Sequence, residues 1–289
     1  SNNLFGLSFG SNFWRAMEYI DEAFGLDSLE DEIMAYQTGI GLSKFHFICS
    51  DLDCSKLKES VKNFHNTKYY IDQYIKNINI YNFKNLDSEI NARIKTLNKF
   101  LSNHLRYVDY LLMSLGRKSI DLNVIHGDPK LSNFLFDIKY KYVVSLIDLD
   151  SVSSGYYLID LADCIRSICN LAGEDPKNKE DVFFDINFCI SFLKGYLSIS
   201  KENKNLSYRY LLEFIYLIIF ELTIRFLTDF LQSNSYFTIE YETHNLYRAE
   251  VQYQLLLSFL CQISDLSIVL KEIGISSTST FATDVRTFI

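Results

Sequence analysis

Val124-Ile125-His126-Gly127-Asp128-Pro129-Lys130-Leu131-Ser132-Asn133 is the most chemically loaded segment of this chain, and Leu146-Ile147-Asp148-Leu149-Asp150 follows a short way behind it. Val124 and Ile125 have the character of the end of a buried strand, and Gly127 and Pro129 force a loop after it. Phe134-Leu135-Phe136 and Tyr142-Val143-Val144 predict a hairpin turning around residues 138–140. Asp128, Lys130 and Asn133 therefore share one loop, and a second carboxylate, Asp148, stands at the mouth of the next strand. Phosphoryl transfer needs such a set: a base for an attacking hydroxyl, a cation for the moving charge, and hard oxygen ligands for Mg²⁺.

Taken singly, each residue has a plainer reading. Asp128 could satisfy the amides of a turn, Asn133 could be a turn residue, Asp148 a cap and Lys130 a solvated lysine. The spacing weighs against that. In the protein-kinase catalytic loop the base aspartate precedes a metal-binding asparagine by five residues. Asp128 and Asn133 have this spacing, and Asp148 stands where the metal-binding aspartate of a kinase would stand. His126 reads as a structural imidazole tying the loop to backbone.

His126-Gly127-Asp128 with Asn133, then Ile147-Asp148-Leu149-Asp150, resembles the aminoglycoside and choline phosphotransferase superfamily, which has a protein-kinase-like fold. A sharper resemblance is to the N-acetylhexosamine 1-kinases. It is carried by Trp14-Arg15-Ala16-Met17-Glu18-Tyr19-Ile20, by Phe64-His65-Asn66-Thr67-Lys68, and by Arg225-Phe226-Leu227-Thr228-Asp229 through Tyr236-Phe237 to Asn245-Leu246. The resemblance implies an α+β phosphotransferase fold with a mainly helical C-lobe. It implies Asp128 as base, Lys130 at the transferring phosphoryl, and Asn133 and Asp148 as Mg²⁺ ligands. Glu18, Tyr19 and Ile20 would lie at the hinge that meets the adenine of ATP. Asp150, Arg225 and Tyr236 would face the substrate, and Asp160 would brace the catalytic loop. The chain departs from the pattern in showing no glycine-rich phosphate loop and no strand with an ATP-pairing lysine. Residues 1–20 are therefore expected to be a remnant of an N-lobe sheet and residues 21–289 a helical C-lobe, with weak nucleotide binding and low turnover.

With 48% hydrophobic and 15% aromatic residues in 289, the chain can build a sizeable core. A net charge of −8 argues against a nucleic-acid binder, which needs a basic face. The six cysteines lie in apolar stretches without CxxC or zinc spacing, as expected of reduced core thiols in a cytoplasmic protein. The most apolar run, residues 211–220, is interrupted by Glu213 and followed by Glu221 and Arg225, so no membrane span is expected. The oligomeric state is not legible.

Working outward, strands are expected at residues 4–10 and 13–20, with Trp14 packed in a core. Apolar spacing predicts a helix over 28–49, with Ser28 as N-cap and Asp31 at N3. Helices follow at 55–64, 67–80 and 87–115, the last ended by Gly116. Asp160 would cap a helix to about residue 171. Further helices are expected at 183–198, 207–232 and 246–273, with a mobile Ser/Thr-rich tail over 276–289. His65 and His244 read as surface or cap residues. Glu221, Arg225 and Asp229 have the i, i+4, i+8 spacing of an exposed salt ladder, which competes with the sugar-pocket reading of Arg225.

The function implied is ATP-dependent phosphorylation of a small polar alcohol, preferably the anomeric hydroxyl of N-acetylglucosamine or N-acetylgalactosamine. Choline, an aminoglycoside or homoserine would be the alternative acceptors, and a non-catalytic binding module the reading from another class.

Overall fold

The computed structural model describes residues 6–10, 12–83, 87–118, 120–199, 208–275, 281 and 285. The predicted tail, apart from Phe281 and Val285, lies outside the described residues. The chain opens with a hairpin, β1 (Leu7–Phe9) and β2 (Asn12–Trp14), paired antiparallel. Residues 15–20 form no strand. A two-stranded ribbon has no second layer to bury its side chains, so Trp14 is 60% exposed instead of packed in a core. β3 (Ala23–Phe24) leads into α1 (Glu32–Ile48). Asp31, not Ser28, is the N-cap, its carboxylate accepting from the Met34 amide at 2.9 Å.

The expected helix over 55–64 is replaced by a 3-10 turn at Cys54–Lys56 followed by irregular backbone. Asn63 and His65 both have positive φ (61° and 55°), which a right-handed helix cannot contain. α2 (Thr67–Ile80) and α3 (Ser88–Gly116) follow, capped by Asn66 and Asp87. β4 (Asn123–Ile125) enters the loop at His126. β5 (Phe134–Asp137) and β6 (Val143–Leu146) form the predicted hairpin, with β3 on its outer edge in the order β3-β5-β6. β7 (Ser153–Gly155) returns antiparallel to β4. Four helices complete the chain: α4 (Tyr157–Ile168), α5 (Ile186–Ile199), α6 (Leu211–Leu231) and α7 (His244–Glu272).

α6 is apolar on nearly every face, the composition of a helix packed on all sides. α2, α4 and α7 surround it. By length and composition α7 could cross a membrane, but here its Leu246, Leu255, Phe259 and Ile263 are buried in the core. α1 and α5 meet almost backbone to backbone. A Cβ on Gly39 would lie 2.0 Å from the Phe192 carbonyl oxygen, and one on Gly195 would lie 1.9 Å from that of Tyr36. The helical mass thus forms a rigid back wall, and the loops after β4 and β6 lie on it.

Candidate functional site

The loop after β4 is held by buried hydrogen bonds. Gly127 has φ +86°, and a Cβ there would sit 2.6 Å from the Ser151 carbonyl oxygen, so only glycine fits. Asp160, fully buried in the first turn of α4, does not cap that helix. Its carboxylate accepts from the amides of His126 (2.7 Å) and Gly127 (2.8 Å), and it lies 2.8 Å from His46 Nε2. His46 is fixed in turn by the Tyr196 hydroxyl at 2.8 Å and by stacking on Tyr157 at 4.1 Å. Ser167 accepts from the Leu131 amide at 2.9 Å. The bracing that the sequence attached to Asp160 is therefore present, and His46 stands behind it.

His126 is structural, as expected. Its Nε2 donates to the Ile147 carbonyl at 2.9 Å, because a carbonyl only accepts, and its Nδ1 accepts from the Asp128 amide at 3.3 Å. The ring so joins the Asp128 loop to the β6 exit. Asp148 follows at φ 64°, ψ 56°, a left-handed conformation that aspartate tolerates better than most residues. Asn133 is buried, and its Nδ2 donates to the Asp128 carbonyl at 2.8 Å. That commitment leaves Oδ1 as the amide atom able to ligate a cation.

These loops form one wall of a cleft of about 380 Å³. Asp128, Lys130, Asp148 and Asp150 line it from the loop side; Arg225 and Tyr236 line it from α6 and the segment after it. Six of the expected site residues are thus brought together from segments far apart in the chain. Lys130 Nζ is 3.5 Å from Asp128 Oδ2. Burial and the nearby Asp163 push the Asp128 carboxyl up, partly offset by Lys130. Asp150 is already engaged by Arg15, at 2.5 Å. Glu18, Tyr19 and Ile20 do not line the cleft; they lie in an exposed stretch without regular structure.

Arg225 departs from the salt-ladder reading. Asp229 turns away from it and organises the next loop, accepting from the amides of Tyr236 (2.8 Å) and Phe237 (2.9 Å) and from Asn245 Nδ2 (2.9 Å). Glu221 is 3.9 Å away, at the limit of an ion pair. What holds the guanidinium is a cage of rings: Phe64, Tyr70 and Phe237, at 5.2, 4.9 and 5.5 Å from its carbon.

Sequence reasoning missed several lining residues. Arg166 is buried between Asp163 (2.8 Å) and Glu174 (3.0 Å), which raise its pKa against the cost of burial. His65, read as a surface residue, is inside the cleft wall. His244 is likewise buried, 2.9 Å from Asp175. The partners of His65 are 62 and 156 positions away in sequence, so no local pattern signals it. The i, i+3 spacing of Asp163 and Arg166 was the one signal available for that pair.

The donor set suits a hard divalent cation. Among the described residues no three His, Cys, Asp or Glu side chains are grouped so that they could hold a metal ion by themselves. Mg²⁺ does not need one, because it is typically held by one or two carboxylates together with substrate phosphates and water. Asp148 on the cleft wall and the Oδ1 of Asn133 are the oxygens that would hold it.

A model of the phosphotransferase enzyme family (APH) matches residues 10–180. Among solved structures, the chain is similar to an aminoglycoside phosphotransferase from Alicyclobacillus acidocaldarius, with a TM-score of 0.62 and 13% identity over 94% of this chain and 76% of that one. It is similar to an ethanolamine kinase from Plasmodium vivax, with a TM-score of 0.52 and 15% identity over 89% and 69% of the two chains. It is also similar to a choline kinase from Cryptosporidium parvum, with a TM-score of 0.50 and 15% identity over 95% and 76%. At such identities the likeness is one of fold: protein-kinase-like, α+β, with its sheets reduced to short antiparallel pieces.

Proposed function

The chain belongs to the phosphotransferase enzyme family, and from that premise we propose that it transfers the γ-phosphoryl group of ATP to a hydroxyl of a small polar acceptor in the cleft between the Asp128 loop and α6. The observation that carries this reading is the convergence of Asp128, Lys130 and Asp148 with Arg225 and Tyr236 on one cleft. Asp128 orients the acceptor hydroxyl and takes its proton. The upward push on its carboxyl brings it nearer the range useful to a general base. Lys130 stabilises the charge that develops on the transferring oxygens. Mg²⁺, when bound, would neutralise the ATP phosphates. Residues 1–20 would belong to the nucleotide side and the helical remainder to the acceptor side, with Glu18–Ile20 meeting adenine.

For the acceptor we favour a neutral sugar, an N-acetylhexosamine phosphorylated at its anomeric hydroxyl, over a cationic amino alcohol. The ring cage beside the cleft would suit an ammonium, but Arg225 fills it with a cation of its own. A second cation there would be repelled. A guanidinium held by ring faces keeps its N–H edges for acceptors, which sugar hydroxyls and an acetyl oxygen supply. The test is a panel of N-acetylglucosamine, N-acetylgalactosamine, choline, ethanolamine and kanamycin with Mg-ATP, read by ³¹P NMR. A sugar 1-phosphate resonance is expected. Choline, ethanolamine or kanamycin phosphorylated on a hydroxyl as the main product would overturn the acceptor assignment and leave the phosphotransfer intact.

A further inference from the structure

His65 lies in the segment between the Cys54–Lys56 turn and α2, at φ 55°. A left-handed backbone at a non-glycine residue costs about 1–3 kcal/mol unless its surroundings hold it. Its ring lies between two acceptors. Nε2 is 2.5 Å from the Gly127 carbonyl oxygen, and Nδ1 is 3.6 Å from Glu221 Oε1 on α6. Glu221 is itself buried and fixed through its other oxygen by the Thr67 hydroxyl at 2.6 Å.

The Nε2 contact fixes one hydrogen, and the charge facing Nδ1 bears on the other. A carbonyl only accepts, so Nε2 carries one. At 3.6 Å Nδ1 is beyond a full hydrogen bond, but it faces a carboxylate, which also only accepts. A neutral ring would set a lone pair against that carboxylate in a buried site. Both ring nitrogens facing acceptors is the arrangement of an imidazolium.

We propose that His65 is held as an imidazolium clamping the Gly127 turn to Glu221, so that it acts as a positioning residue for Asp128 and makes the alignment of the loop depend on pH. Charged groups that line the cavities it shares include Glu221 and Arg225 on α6, Asp163 and Arg166 on α4, Asp128 and Lys130 on the loop, and Glu59 on the ring's own segment. Burial by itself would push the ring's pKa down. Glu221, then Asp163 and the Gly127 carbonyl, carry it above its ordinary value. The clamp is therefore complete at the ring's ordinary value of ~6.5 and is lost as pH rises through the raised one. Through Glu221, which also approaches Arg225, the clamp links the acceptor wall to the loop that carries Asp128.

The ionisation stands on the ring's place between the Gly127 carbonyl and Glu221; its effect on turnover rests on the phosphotransfer reading above. The test is a ¹⁵N NMR pH titration of the full chain without nucleotide or acceptor. The His65 ring nitrogens are expected to keep imidazolium shifts above pH ~6.5, the ordinary histidine value, and the Gly127 and Asp128 amides to titrate with the same midpoint. Glu221→Gln should lower that midpoint. His65→Gln, which keeps an N–H for the Gly127 carbonyl, should abolish the inflection at Gly127, and this separates His65 from the neighbouring His126. A midpoint at or below ~6.5, or a Gly127 amide indifferent to His65, would overturn the proposal. With an acceptor in hand, His65→Gln should lower kcat with little change in KM for ATP. Wild-type kcat in a folded His65→Gln protein would remove the positioning role.

Discussion

Asp128 is the residue on which the chemistry converges; its backbone is held by His126 through its amide and by Asn133 through its carbonyl, while its carboxylate meets the Lys130 ammonium at 3.5 Å. Asp128→Asn should therefore keep the loop intact and remove only the base. Turnover should fall by about 10²- to 10⁴-fold, while Mg-ATP affinity by isothermal titration stays within a few-fold. Arg225→Leu removes the donor fork and keeps the stem's bulk. It should lower kcat/KM for the sugar by about 10- to 100-fold, as for loss of a charged hydrogen bond worth about 1.5–3 kcal/mol. The fall should appear mainly in KM if Arg225 only binds acceptor. At this scale the sequence was legible where chemistry is local. Asp128, Asn133 and Asp148 follow a spacing; Asp128 and Asp148 line the cleft, and Asn133 is buried behind it, bonded to the Asp128 carbonyl. His65, Asp163 and the ring cage were not legible, because their roles are made by α4 and α6 arriving from elsewhere. Asp229 was misread because helical spacing gives neighbours on a helix face but not the direction in which a carboxylate turns at the helix end.

Helices showed the same division between local and distant causes. α2 was placed at residues 67–80 and forms there. α1 begins three residues later than capping chemistry at Ser28 suggested, because Asp31 supplies the cap. The missing helix before α2 has a legible cause in hindsight: asparagine favours left-handed backbone, and Asn63 adopts it. Two predictions belong to elements. Gly39→Ala improves intrinsic helix propensity by up to about 1 kcal/mol, yet it drives a methyl into the Phe192 carbonyl. Net destabilisation, of the order of the 1–3 kcal/mol of an overpacked core, is expected in urea unfolding. The second concerns α3 against α6. His104 is buried with its Nδ1 2.8 Å from the Tyr216 hydroxyl, and burial pushes its pKa down to about 4. Its unfolded value is near ~6.5, so between these values the unfolded chain binds the extra proton. Stability from this site is complete above ~6.5 and falls by about 3 kcal/mol as pH drops toward 4. His104→Phe should flatten that part of the pH–stability curve. An unchanged slope would show that another group carries it.

At the scale of the whole molecule, the phosphotransferase fold was legible from a few motif residues because the loop they form requires a particular backing. A buried carboxylate must hold its amides, and a helical mass must hold that carboxylate. The acceptor is legible only as what a resemblance implies, since the cleft is shaped by α6, by the Asp229-organised loop and by rings from three segments. The central claim is that this cleft moves phosphate from ATP to a sugar hydroxyl under the control of Asp128. The most direct measurement compares wild type with Asp128→Asn for transfer of ³²P from [γ-³²P]ATP to N-acetylglucosamine and N-acetylgalactosamine with Mg²⁺. Whatever the absolute rate, wild type should label the sugar in an acid-labile anomeric phosphate, and Asp128→Asn should fall by about 10²-fold or more. Equal labelling by the two proteins would contradict the account.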